Sequence, residues 1–200
     1  VRACLLPGEF GSSARCRSPR RFPEGRPVEL LCVSTLEPRK GHLVLLKAVR
    51  ELARLAPGLD WRLTCVGNRY AGANSIAHAV GAAALADPRV RWLGIVDDTT
   101  LRGLYDSADI GLYGSTIEGF GMPIVESLWH GAPVVCHEDG VMGELAAEGG
   151  CLVADMNDPL AVAGAIARLA TDRATFERLA REAAGRPMKT WDDYGRQIMD

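Results

Sequence analysis

Glu118 and Glu126 stand eight residues apart in the run Ser115-Thr-Ile-Glu-Gly-Phe-Gly-Met-Pro-Ile-Val-Glu-Ser-Leu-Trp-His-Gly131. A carboxylate accepts two hydroxyl hydrogens, so two carboxylates at this separation can hold two sugar rings. Between them, Gly119 and Gly121 let backbone N–H groups approach a ligand closely. A helix N-terminus at Met122-Pro123 favours negative charge. Sugar, anion, sugar is the layout of a nucleotide-diphosphate sugar. Ile124, Val125, Leu128 and Trp129 form an apolar stripe at helical spacing that is simply core, and Glu126 lies on another face with Met122 and His130. Taken alone, Glu126 is an acidic residue complementing a helix dipole. Glu118, the glycines and the loop position turn the reading towards binding.

Arg39 and Lys40 are the second cluster. By themselves they read as a solvated charge pair at a helix start, yet cations at that end oppose the dipole, which favours a bound anion. The histidines at 42, 78, 130 and 137 lack metal-ligand spacing, and no metal site is expected. His137 falls in a loop on the ligand side and is read as solvent-facing or touching ligand. Gly67-Asn68 closes a strand as a turn that lines the site or merely reverses the chain.

The elements that must position these groups alternate short apolar runs with helical periods from Val28 onward. Strands are expected at 30–34, 62–66, 90–93, 109–113, 132–136 and 150–153. Helices are expected at 41–56, 74–86, 98–107, 123–130, near 142–147, from Asp158-Pro159 to 170, from a Thr171 cap to 184, and from Trp191. This pattern predicts an α/β fold, a Rossmann-like parallel sheet with helices on both faces. Ligands of such sheets bind beyond the carboxyl ends of the strands, which selects the loops 34–41, 67–71, 94–98, 114–121 and 137–143.

The chain has 200 residues, 48% hydrophobic and 24% charged, with a formal net charge of -2. That is enough for one domain with a sizeable core. The balance gives no electrostatic reason to expect nucleic acid, and no apolar run reaches the roughly 20 residues of a membrane span. Residues 1–27 carry six arginines against Glu9 and Glu24 amid Gly, Ser and Pro. They are read as an irregular linker or the remnant of an upstream region, and residues 28–200 as the functional domain. The six cysteines show no C-x-x-C pair. Cys32, Cys65, Cys136 and Cys151 read as buried strand residues in a reducing compartment, while Cys4 and Cys16 would bridge only if the chain were exported.

The run E-G-F-G-M-P-I-V-E with the following H-G-A-P-V-V resembles the E-x7-E signature of the family-4 retaining glycosyltransferases. Val33-Ser-Thr-Leu-Glu-Pro-Arg-Lys-Gly-His42 is similar to that family's first strand and phosphate loop. Further similarity lies in Arg91-Trp-Leu-Gly-Ile-Val-Asp97, Leu104-Tyr-Asp-Ser-Ala-Asp-Ile110 and Trp191-Asp-Asp-Tyr194, in the expected order. The resemblance implies the second half of a GT-B fold, the domain that binds a nucleotide-sugar donor. It implies that Glu118 binds the transferred sugar with the backbone amides of Gly119, Phe120 and Gly121, and that Glu126 holds the ribose diol. Lys40, with Arg39 close by, would contact the diphosphate, in the loop that also holds Ser34 and Thr35. The backbone at Ile95 and Val96 would meet the base. Many family members carry an arginine just after the first strand. Here Ser34-Thr35 stands in its place, so either Arg39 serves instead or the phosphates are held less tightly.

The implied function is transfer of a sugar from a nucleoside diphosphate to a hydroxyl of a glycan, lipid or small-molecule acceptor, with retained configuration and no cofactor. Fixed cations can take up the charge of the departing diphosphate, and the sequence holds no D-x-D pair for a metal. An N-terminal acceptor domain or partner chain is expected to complete the enzyme, so the 200-residue chain alone is expected to be inactive. The expected location is the cytoplasm, with peripheral contact to the inner face of a membrane left open. Two alternatives stand beside this reading: a GT-B nucleotide-sugar epimerase, and a non-catalytic nucleotide-sugar-binding or assembly module. A dinucleotide dehydrogenase is disfavoured because no G-x-G-x-x-G follows the first strand.

Overall fold

The computed structural model describes residues 6–9 and 14–199. Six parallel strands form one sheet: β1 (Val28–Val33), β2 (Trp61–Val66), β3 (Val90–Trp92), β4 (Ile110–Leu112), β5 (Val134–His137) and β6 (Cys151–Ala154). Their order is β3-β2-β1-β4-β5-β6. β1 therefore sits at the centre, paired with β2 from Val28↔Trp61 to Val33↔Val66 and with β4 at Leu30↔Ile110 and Leu31↔Gly111. The chain winds outward one way from β1 to β3, then returns to the other side of β1 with β4. The reversal of strand order between β1 and β4 places a switch point at the sheet's carboxyl edge, where ligands of such sheets bind.

Successive side chains of a strand point to opposite faces, and the core divides accordingly. Leu30, Cys32, Leu63 and Cys65 pack under helices α1 (His42–Leu55), α2 (Asn74–Ala86) and α6 (Pro159–Thr171), through Leu45, Val49, Leu52, Val80, Val162 and Ile166. On the other face Leu31 and Val66 meet α3 (Asp98–Ser107). Val134 and Cys136 meet α4 (Met122–Trp129) and α5 (Gly140–Ala147). Two more helices, α7 (Arg173–Gly185) and α8 (Trp191–Met199), complete the described chain. None of its helices is long and apolar enough to cross a membrane.

The helix starts follow local chemistry. Asp97 caps α3 through the Thr100 N–H, and Asp158 caps α6 through the Leu160 N–H with Pro159 in the first turn. The expected Thr171 cap of α7 is corrected: α6 runs through Thr171, whose hydroxyl donates back to the Ala167 carbonyl at 2.7 Å, and Asp172 caps α7 through the Thr175 N–H. β4 is shorter than the sequence suggests, although the flanking Asp109 and Tyr113 N–H groups still donate to the Glu29 and Val135 carbonyls, and Arg26 holds the Asp109 side chain. Both guanidinium nitrogens reach its carboxylate, at 2.7 and 2.6 Å.

Residues 6–9 and 14–27 form no helix or strand, but their arginines do more than solvate a linker. Arg15 donates to the Ala183 and Ala184 carbonyls at 3.1 and 3.2 Å. Arg20 donates to the carbonyls of Tyr105 at 3.2 Å and His130 at 2.8 Å. These are the C-terminal ends of α7, α3 and α4, where unpaired carbonyls concentrate negative charge. The segment is a basic strap across the edge of the sheet opposite the crevice. Among the described residues the five cysteines are free thiols, and Cys32, Cys65, Cys136 and Cys151 lie in strands. Cys4 lies outside the described residues.

Candidate functional site

Two tight backbone approaches hold the loops together at this edge. Gly41, at φ 68°, packs so closely on the β4 loop that a Cβ there would fall 2.1 Å from the Gly114 carbonyl oxygen. Gly67, at φ 138°, does the same to the β1 loop, 2.0 Å from the Ser34 carbonyl oxygen. Only glycine satisfies both the left-handed backbone and the contact. The Thr116 N–H donates to the Arg39 carbonyl at 3.3 Å, with Ser115 Oγ 3.1 Å from the same oxygen, so the β1 and β4 loops are stitched together.

Within that seam the structure brings Glu118, Lys40 and Arg39 to one point. Lys40 Nζ pairs with Glu118 Oε1, and Arg39 Nη1 lies 2.8 Å from Glu118 Oε2. Ser115 donates to Glu118 Oε1 at 2.6 Å. The Glu118 and Lys40 side chains are only 10% and 11% exposed, whereas Arg39 is 45% exposed. Burial pushes the Glu118 carboxyl upward, but hydrogen bonds from Lys40, Ser115, Arg39 and Tyr113 outweigh it and bring it to about 2. Tyr113 is itself raised, by burial and by the Glu118 charge. The cations sit on a short 3₁₀ turn, Pro38–Lys40, just before α1. Their charge is met by Glu118 and, for Arg39, also by Glu37 at 3.2 Å, so Arg39 and Lys40 are not a freely solvated pair.

Glu126 occupies a separate position, one turn into α4. Its Oε2 accepts from the Tyr105 hydroxyl of α3 at 2.6 Å. Burial raises its carboxyl, and the Tyr105 bond opposes that rise. The two glutamates thus have different electrostatic company, cations for Glu118 and a phenol for Glu126. Their tyrosine partners nevertheless line one small cavity, with Val33 and Pro123, between the ends of β1 and β4.

The remaining expected residues fall around this centre. Gly119 is open: nothing lies within 4 Å of where a Cβ would be. Phe120 is half-buried against the core under α4 and α5, and Gly121, at φ 91°, is the N-cap of α4. Ser34 is half-buried with its hydroxyl 3.3 Å from His42 Nε2, and the Thr35 hydroxyl donates to Glu37 at 2.7 Å. Ile95 is 75% exposed on the loop after β3, while Val96 packs on the core beside α3. His137 is not solvent-facing and is the last residue of β5 rather than part of the loop: it is buried, and its Nδ1 accepts from the Met156 N–H at 3.2 Å.

Sequence reasoning missed Tyr105, Tyr113 and Ser115 as partners of the glutamates. A signal existed for Tyr105. It is a tyrosine on the apolar side of a polar helix, and a buried phenol needs an acceptor.

The β3-β2-β1-β4-β5-β6 order is that of a Rossmann-like nucleotide-binding unit, with the charged cluster at its switch point. The family described as Glycosyl transferases group 1 matches residues 27–172, and the chain belongs to it. It is 31% identical over 171 residues to the O-antigen chain mannosyltransferase B of Escherichia coli, covering 85% of this chain and 44% of that protein. It is 32% identical over 184 residues to the D-inositol 3-phosphate glycosyltransferase of Corynebacterium efficiens, covering 90% and 43%. The chain therefore spans less than half the length of these curated relatives. Among solved structures, Anabaena Alr3699/HepE in complex with UDP and glucose aligns with a TM-score of 0.74 at 22% identity, over 86% of this chain and 47% of that one. Sucrose-phosphate synthase from Thermosynechococcus elongatus aligns with a TM-score of 0.73 at 26% identity, over 88% and 45%. The fold is that of the C-terminal domain of a GT-B glycosyltransferase.

Proposed function

We propose that this chain supplies the donor-binding half of a retaining glycosyltransferase that moves a sugar from a nucleoside diphosphate to an acceptor hydroxyl. The observation that carries the reading is the convergence of Lys40 and Arg39 on Glu118 at the β1/β4 crevice. In the free protein each charge is held by its opposite. When a donor enters, its diphosphate becomes the partner of Lys40 and Arg39, and its sugar hydroxyls become donors to Glu118. Binding thus exchanges one negative partner of the two cations for another, and Glu118 gives up two ion pairs for sugar hydroxyls.

Glu118 positions the sugar with the backbone amides at 119–121, and Glu126 accepts from the ribose diol. As the anomeric C–O bond breaks, charge accumulates on the departing diphosphate, and two fixed cations stabilise it without a metal. Arg39 reaches the same carboxylate as Lys40, which supports its standing in for the arginine absent at Ser34-Thr35. Attack from the face the diphosphate leaves retains configuration. The relatives named as mannosyl- and D-inositol 3-phosphate glycosyltransferases, and the neighbour holding UDP and glucose, support a nucleotide sugar as donor. The acceptor is a glycan, lipid or small molecule, bound by a further domain or partner chain.

Thermal-shift screening of UDP- and GDP-sugars against this chain tests donor binding. In the complete enzyme, Lys40→Ala should mainly reduce turnover and Glu126→Ala should mainly weaken nucleotide binding. Unchanged turnover after Lys40→Ala contradicts the leaving-group role. Robust transfer by the purified 200-residue chain contradicts the need for an acceptor domain. Conversion of donor without acceptor would favour an epimerase.

A further inference from the structure

Resting on the donor-binding reading above, we propose that Tyr105 is a positioning residue for Glu126, its buried phenol holding one carboxylate oxygen so that the other is presented to the ribose diol. Tyr105 belongs to α3 and Glu126 to α4, so their 2.6 Å hydrogen bond spans two helices and fixes the torsions of a long side chain. A glutamate left to itself samples several rotamers and must lose that freedom when ligand binds. Here the freedom is lost during folding instead.

The tyrosine is itself held. It is 1% exposed, and its ring stacks on His130 with centroids 5.3 Å apart at 14°. His130 Nδ1 lies 2.7 Å from Asp106 Oδ1, tying the end of α4 back to α3. Arg20 of the basic strap clasps the Tyr105 and His130 carbonyls, so the ends of both helices are pinned by one guanidinium. The strap thus serves the crevice from the opposite edge of the sheet. Burial and the Glu126 charge push the Tyr105 hydroxyl well up, so it stays protonated and remains a donor.

A buried phenol can also take any acceptor at hand, with no functional consequence. The two roles differ in what Tyr105→Phe does to ribose recognition. Titration calorimetry on the 200-residue chain would use UDP and GDP, each beside its 2′,3′-dideoxy counterpart, with melting temperatures recorded. The unsubstituted chain should prefer the ribose form, and Glu126→Gln should abolish most of the preference. Tyr105→Phe should weaken binding of the ribose form about fivefold, the value of one hydrogen bond, and leave the dideoxy form unchanged. A folded Tyr105→Phe protein that keeps the full preference overturns the inference, whatever happens to its melting temperature. If Tyr105→Phe does not fold, 4-aminophenylalanine at position 105 restores a donor. Recovery of both fold and preference then supports the inference, and recovery of fold alone overturns it. Loss of preference in Glu126→Gln but not in Tyr105→Phe removes this inference and spares the donor-site reading. No preference in the unsubstituted chain, or no nucleotide binding at all, removes both.

Discussion

Lys40→Met keeps much of the length of the lysine stem and removes its charge, leaving Glu118 with Arg39, Ser115 and Tyr113 as partners. The Glu118 carboxyl stands at about 2 against an ordinary 4.5, and at 1.36 kcal/mol per unit that difference is about 3 kcal/mol, the net of what its partners contribute and what burial costs. Arg39 is 45% exposed and screened by water, so about half that net figure, ~1.5 kcal/mol, is the loss expected for Lys40→Met at neutral pH. Because the folded carboxyl lies below its unfolded value, this stabilisation is complete above about pH 4.5 and disappears as pH falls towards 2. The difference between Lys40→Met and the unsubstituted chain should therefore shrink to about half by roughly pH 2.5. Urea denaturation at both pH values measures it, and a double-mutant cycle with Glu118→Gln isolates the pair. A coupling energy under about 0.3 kcal/mol, or a Lys40→Met penalty that is the same at both pH values, refutes the account of Glu118 as a carboxylate held down by Lys40.

Three further outcomes follow from contacts at the crevice and the strap. Gly41→Ala should cost more than about 2 kcal/mol or prevent folding, because its Cβ would meet the Gly114 carbonyl oxygen at 2.1 Å. Gly119→Ala, with open space around it, should keep the melting temperature and weaken binding of a nucleotide sugar more than of the bare nucleotide. Arg26→Ala leaves the fully buried Asp109 carboxylate without its guanidinium partner, and urea denaturation should show a loss of about 2 kcal/mol. A smaller loss would mean that the Glu29 N–H, 2.9 Å from Asp109 Oδ2, suffices.

Much of this architecture was legible because it is written in local periods. The strand–helix alternation, the glycine-rich turn before α4 and the Asp158-Pro159 start of α6 each depend on residues within a few positions of one another. The E-x7-E run could likewise be read as a loop entering a helix, since its glycines and Pro123 lie close together in the chain. Thr171 misled because a hydroxyl at a helix end can cap the next helix or bond back into its own, and only the path of α6 selects one. His137 misled because nothing in its sequence neighbourhood tells that β5 reaches it or that the Met156 N–H claims its Nδ1.

Residue types alone determined that this chain offers two carboxylates, two cations and flexible glycines on the loops of a parallel α/β sheet. Which of them meet was decided by strand order. Setting β4 beside β1 brings Glu118 onto Lys40 across 78 residues of chain and lays α3 against α4, so that Tyr105 finds Glu126. The basic strap followed the same logic, since the helix ends that attract Arg15 and Arg20 exist only once the helices have packed. Such contacts have no local signature: their energy comes from charges and hydrogen-bonding groups that the folded core holds together in a setting of low dielectric.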